Sequence, residues 1–391
     1  MLNVPTRWRM LFVLFIARTA MAYQFQTVPS AGPFLISELG ITFGQLGTLI
    51  GLYMLPGIAI AVPSGMLARA LGAHRTVLIG IALMAVGGAL MSVDSVLLAF
   101  VGRLISGLGA VFVNVLMTKM VTDWFADRDI VPAMAVFVAS WPLGLALGLI
   151  SFPPLAAHGG SPSVMGAAAA IVAVSFALVA LIYRAPPDAP VERGDLKLDL
   201  SRREWLLISL AGLVWGSFNA GYVIFVSFLP DLFTSRGYSL IEAGRTVSSL
   251  AFVVIASVPL AGYLAQLLQR PNLLMVGGFT LVAAAGAALP AVATPSVPFM
   301  VVLIVIGIPA GLIMSLPAQA LRPQNRSTGM GVFYTWHFAA MAVLPALAGS
   351  ARDISRSAAA PVLFAAATML LAALALIAFR LVQHRMREVA R

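Results

Sequence analysis

Apolar stretches of roughly 20 residues, each long enough to cross a hydrocarbon layer about 30 Å thick, recur along this chain from end to end. No other feature restricts the fold as strongly. Inside lipid there is no water to pair with backbone N–H and C=O groups, so a spanning segment must be an α-helix or part of a closed β-barrel. Continuous apolar runs of this length select helices, because barrel strands alternate and are about half as long. Composition agrees: 61% of the 391 residues are hydrophobic and 10% are charged, with a mean hydropathy of +0.99. A soluble domain is about 45–50% apolar and about 25% charged, and no soluble interior is large enough to hide the excess.

The spans read as 10–31, 43–67, 77–93, 96–119, 131–156 and 164–183, then 205–229, 241–267, 273–293, 297–320, 328–350 and 359–382. Between the two sets, Pro186, Pro187 and Pro190 stand among mixed charges and mark a hydrated linker. The expected organisation is therefore all-α and polytopic. Residues 1–184 form an N-terminal six-helix bundle, 185–204 a cytoplasmic linker, and 205–391 a C-terminal six-helix bundle with a cytoplasmic tail.

The formal charge of +10 raises the question of nucleic acid. Lys and Arg form no basic face; they sit in short gaps between apolar runs, as in the cytoplasmic loops of a membrane protein. With the N-terminus inside, roughly 18 of the 24 basic residues fall on the cytoplasmic side. The expectation is a multi-pass protein of the cell inner membrane with both termini cytoplasmic and no nucleic-acid partner. A cleaved leader is the competing reading of Arg7, Arg9 and Ala20-Met21-Ala22. Arg18 would interrupt its apolar region, and the segment has a counterpart in the second half.

That second half repeats the first. Pro33-Phe34-Leu35 with Gly40 aligns with Pro230-Asp231-Leu232 with Gly237, and Val62-Pro63 with Val258-Pro259. Even-numbered halves of this kind repeat about an axis along the membrane normal.

At this point the chain resembles the major facilitator superfamily. Gly65-Met66-Leu67-Ala68-Arg69-Ala70-Leu71-Gly72-Ala73-His74-Arg75 follows the family's G-x-x-x-D-R-x-G-R-R/K loop, except that Arg69 replaces the acid. That acid helps hold the family's cytoplasmic gate shut. Arg103-Leu104-Ile105-Ser106-Gly107-Leu108-Gly109 is similar to its R-x-x-x-G-x-G pattern, and Trp141-Pro142-Leu143-Gly144 to its antiporter motif with the glycine pair incomplete. Gly329 to Tyr334, with Pro345 to Gly349, resembles cyanate- and nitrate-type anion carriers, although the glycine-rich nitrate signature is absent. The resemblance implies twelve transmembrane helices in two bundles, the major facilitator fold, and secondary transport by alternating access.

An ionisable side chain at a helix centre costs about 2.5–3.5 kcal/mol on the insertion scale, so each one invites a functional reading. Arg18 lies near the middle of the first span, where a guanidinium can grip a planar anion through two parallel hydrogen bonds. Its alternatives are a backbone carbonyl partner or snorkelling toward the headgroups. Arg103 reads equally as a second anion contact or as a packing donor. His337 offers an imidazole that changes charge between about pH 5 and 8, against the plainer reading of a neutral packing residue. Tyr23, Asn219, Tyr222 and Tyr334 are expected to complete the substrate site, since spans one and seven are the equivalent cavity-lining helices of the family. No carboxylate is expected near mid-membrane, which favours an anionic substrate.

The expected activity is transport of a small organic or inorganic anion by a monomer, with membrane lipid as solvent and protons as a possible coupling ion. The alternative is a proton-coupled exporter of amphipathic drugs or metabolites. A sensor that kept the fold but lost transport ranks below both. An enzyme is not expected, because no nucleophile elbow, phosphate loop or carboxylate pair is present. Neither is a metal or cofactor: the chain has no cysteine and only 4 His, without zinc spacing.

Overall fold

The structure is a computed structural model that describes residues 6–125, 129–186, 200–292, 296–322 and 325–388. The expected linker falls largely outside these residues, as do Pro323-Gln324 and the end of the C-terminal tail. Fifteen helices follow one another. They are α1 (Thr6–Ser30), α2 (Gly32–Leu39), α3 (Phe43–Leu52), α4 (Pro56–Leu71), α5 (Ala73–Met91), α6 (Val96–Phe125) and α7 (Ile130–Ile182). Then come α8 (Arg202–Thr234), α9 (Leu240–Leu268), α10 (Pro271–Ala288), α11 (Ser296–Val305), α12 (Ile308–Ile313), α13 (Leu316–Ala320), α14 (Arg326–Ser355) and α15 (Ala359–Glu388).

Among the described residues, eleven helical stretches are long and apolar enough to cross a membrane. One of them counts twice. Helix α7 has 53 residues and leaves helical geometry at Gly159 and Gly160; at 1.5 Å per residue it extends roughly 80 Å, enough for two crossings. Gly160 adopts φ 66° and ψ −171°, a conformation essentially restricted to glycine. The helix then restarts at Ser161-Pro162. Glu38 caps the restart by accepting from the Ser161 backbone N–H at 3.1 Å. Twelve crossings result, in the all-α architecture that the apolar pattern dictates.

Proline explains where the expected spans fragment. The second divides at residues 53–55, just before Pro56 opens α4. The tenth becomes α11, α12 and α13, with Pro309 and Pro317 each in the first turn of a new piece. Proline suits a helix start and disrupts an interior.

The chain forms two compact units. The first comprises Met1–Ile41 and Leu52–Gly194, the second Thr42–Gly51 and Asp195–Arg391. In the first, α1 packs on α7, and α5 on α6 and α7. In the second, α8 packs on α14 and α15, with α10 against α15. The repeat is visible in the backbone: Gly40 and Gly237, aligned in the sequence, both hold positive φ, 66° and 91°.

The start of α3 belongs to the second unit for a local reason. Asp353 of α14 accepts from the backbone N–H groups of Phe43 at 3.0 Å and Gly44 at 2.7 Å, satisfying open donors at a helix N-terminus. The neighbouring Arg352 lies 4.6 Å from the Phe43 ring centroid and pairs with Asp231 at 2.8 Å.

Glu204 organises the other end of this unit. With Ser201 it forms a capping box on α8. Its carboxylate also accepts from Arg322 N–H at 2.9 Å, Arg322 Nη2 at 2.9 Å and Asn325 Nδ2 at 3.0 Å. One buried carboxylate thus ties the start of α8 to the segment before α14. Glu204→Gln should lower stability by about 1–3 kcal/mol, toward the small end because Arg322 is 54% exposed. Glu242→Gln, in the exposed capping box of α9, should barely shift the melting temperature. Equal shifts in detergent would show that the Glu204 cluster is not a tie.

Candidate functional site

Proline also decides where the intramembrane arginines go. Pro142 has no N–H, so the carbonyl four residues earlier in α7, that of Val138, loses its helical partner. Arg18, from α1, supplies the missing donor. Its Nη1 donates to Val138 O at 3.3 Å and to Phe137 O at 2.9 Å, with Ser140 Oγ at 3.4 Å. The Phe137 ring centroid lies 4.7 Å from the guanidinium carbon, within cation–π range.

The opposite edge of Arg18 is held differently. Nε and Nη2 both reach a single acceptor, Asn114 Oδ1 of α6, at 3.4 and 3.3 Å. Strong N–H···O bonds lie between about 2.7 and 3.2 Å, so this edge is loosely engaged. It is also the edge that binds a carboxylate through parallel bonds. Further along α1, the Tyr23 hydroxyl shares a hydrogen bond with Ser151 Oγ at 2.8 Å, and its ring tilts against Phe152 at 4.2 Å.

Arg103 uses the same device in a sealed setting. Pro29 removes the partner of the Phe25 carbonyl in α1, and Arg103 Nη2 donates there at 2.8 Å while Nη1 donates to Gln24 O at 3.3 Å. The Tyr53 and Phe25 ring centroids lie 4.5 and 5.2 Å from its guanidinium carbon. Tyr53 OH donates to Met21 O at 3.2 Å, and Gln24 Nε2 to Met84 O at 2.7 Å. Arg103, expected as a second anion contact or a packing donor, is 0% exposed here and enclosed by these partners.

In the second unit an aromatic cluster joins α8 to α14. The Trp215 ring lies near those of Phe218, Phe333 and His337, at 6.0, 6.4 and 5.9 Å. Tyr334 meets His337 edge-on at 6.2 Å. Among the described residues, Trp215 Nε1, His337 Nδ1 and the Tyr222 hydroxyl are buried without a hydrogen-bond partner. Asn219 uses its amide within its own helix, donating to Trp215 O at 2.8 Å.

The structure thus brings Tyr334 and His337 together and adds Trp215 to them. It leaves Arg18 and Tyr23 on one helix with separate partners. Asn114 and Ser140 were not expected as Arg18 partners. A usable signal existed, since an arginine at lipid depth and a proline within another helix are complementary defects.

Membrane-crossing helices in two compact units, with a half-buried arginine on neutral oxygens in one and an aromatic cluster in the other, make this a polytopic membrane protein. The chain belongs to the Major Facilitator Superfamily, whose family model matches residues 11–345; it is a transporter and not an enzyme. No curated protein matches. Among solved structures it is similar to the nucleoside transporter NupG, at TM-score 0.76 and 14% identity over 96% of this chain and 99% of that one. It is also similar to the POT family transporter PepTSo, at TM-score 0.75 and 12% identity over 96% and 98%. A bacterial homologue of the lysosomal transporter Spinster gives TM-score 0.74 and 16% identity over 98% of each chain. Identities this low establish the shared fold alone.

The two arginines should respond differently to truncation. Arg103→Ala leaves the Phe25 carbonyl without its donor and removes both ring contacts, at a cost of about 2–4 kcal/mol. A marked loss of melting temperature or of monodisperse protein is expected. Arg18→Ala should cost less than half as much, since its outer edge is loosely bonded. Equal losses would mean that both arginines are packing residues.

Proposed function

We propose that this transporter moves a small organic anion, with Arg18 as the residue that grips it. The single observation supporting this is the loose fork of Arg18. Its Nη1 is anchored on Phe137 O at 2.9 Å, while Nε and Nη2 share one amide oxygen of Asn114 at 3.3–3.4 Å. A substrate carboxylate in place of that oxygen supplies two acceptors to two donors, and adds charge attraction where lipid strengthens it. Tyr23, on the same helix, belongs to the same proposal. Within the second unit, Asn219, Tyr222, Tyr334 and His337 are proposed as substrate contacts, and the aromatic rings among them, with Trp215, suit an organic body better than an inorganic ion.

The transport cycle proposed is alternating access between the halves 1–184 and 205–391, acting as a monomer in the inner membrane with both termini cytoplasmic. The distribution of basic residues supports that orientation. Protons are the proposed coupling ion.

A second reading, proton-driven export of amphipathic compounds, draws on one specific observation: the unpartnered Nδ1 of His337 within the aromatic cluster. A drug-resistance phenotype in an efflux-deficient cell, abolished by His337→Gln but unaffected by Arg18→Ala, would favour it over the first.

Asn114→Asp is the decisive variant for the anion reading. It places a carboxylate of the protein's own beside Nε and Nη2 of Arg18. One charge-assisted pair is worth about 1.5–3 kcal/mol, so uptake of the anion should fall at least tenfold while the protein stays folded. The substrate is first chosen from a thermal-shift panel of small carboxylates and inorganic anions. Wild-type uptake by Asn114→Asp, or a panel in which no anion stabilises the wild type, would defeat the proposal.

A further inference from the structure

A groove of about 540 Å³ runs between α10 and α15 in the second unit, away from the residues discussed above. Its floor is apolar: Val276 from α10, and Leu376, Ile377 and Leu381 from α15. Its mouth is polar and positive. Arg380 and His384, one helical turn apart, line it opposite Asn272, and none of the described lining residues is acidic. Arg380 is held in place by amide oxygens, donating to Asn272 Oδ1 at 2.9 Å, Gln319 Oε1 at 2.7 Å and Gln383 Oε1 at 2.9 Å. These acceptors hold the guanidinium at the mouth of the groove.

The backbone adds to the same field. Helix α10 begins here with Arg270 at its N-cap and no side-chain cap on its first amides. Uncapped N–H groups and the helix dipole favour an anion at that end. Val276 lies about one turn inward from Asn272, and Ile377 about one turn inward from Arg380, because the helices run antiparallel. Positive mouth and apolar floor therefore follow one another along the membrane normal, which is the order of headgroup and chain in a phospholipid.

We infer that this groove binds an anionic phospholipid, with the headgroup phosphate at Arg380 and His384 and an acyl chain along the apolar floor. The basic residues of α15 belong to the end that charge placement assigns to the cytoplasm, where basic pockets between helices meet acidic headgroups. The inference is independent of the substrate proposal, since none of the groove residues is assigned to transport.

The test is native mass spectrometry of the delipidated full chain with phosphatidylglycerol, phosphatidylcholine or inorganic phosphate added separately. Phosphatidylglycerol should be retained in preference to phosphatidylcholine, and excess phosphate should not displace it. Arg380→Gln should weaken retention roughly fivefold, as one interfacial cation contributes. Val276→Phe, which fills the floor and leaves Arg380 in place, should weaken it as well and decides the matter if Arg380→Gln does not fold. Equal retention of the two lipids, displacement by phosphate alone, or unchanged preference in the folded variants would overturn the inference.

Discussion

A backbone carbonyl released by proline inside a membrane helix has no water to turn to, and this protein answers that constraint with arginine. An unsatisfied polar group in hydrocarbon costs several kcal/mol, as does a guanidinium placed there alone. Each defect supplies what the other lacks. Pro142 releases Val138 O for Arg18, and Pro29 releases Phe25 O for Arg103. These two reciprocal repairs lie where α1 meets α6 and α7, and they make proline inside a helix compatible with a dry interior.

The two arginines then diverge because of what surrounds the rest of the guanidinium. Arg103 is closed off by Phe25 and Tyr53, and Tyr53 is anchored to α1 through Met21 O. Its charge is absorbed into the architecture. Arg18 has one aromatic ring on one side and a single amide on its outer edge. A residue type that carries the same sequence-level expectation in both places is therefore enclosed in one and half-buried in the other.

The second unit handles polarity differently. Its described ion pairs sit at helix ends, Glu204 with Arg322 and Asp231 with Arg352. Between them the α8–α14 contact is aromatic, centred on Trp215. Buried Nε1 and Nδ1 atoms without partners are rare where packing alone is at stake. Their concentration beside Tyr334 suits a surface that changes partners during a transport cycle. The groove at α10 and α15 repeats the theme, with Arg380 at its mouth and an apolar floor.

The membrane-spanning helices were legible in the residues alone, because lipid admits so few ways to satisfy a backbone and apolar length reports directly on crossing. The repeat was legible too, through glycines that need positive φ at Gly40 and Gly237. Proline positions were visible, although the sequence does not say which distant side chain repairs each one. That required tertiary structure. Whether Arg103 opens to a ligand depends on Phe25 and Tyr53 closing over it from two other segments. Which oxygens meet the Nε and Nη2 of Arg18 depends on Asn114, 96 residues away. Apolar patterning is a local property that solvent enforces on each segment, whereas the availability of a charge is set by neighbours that only folding brings together.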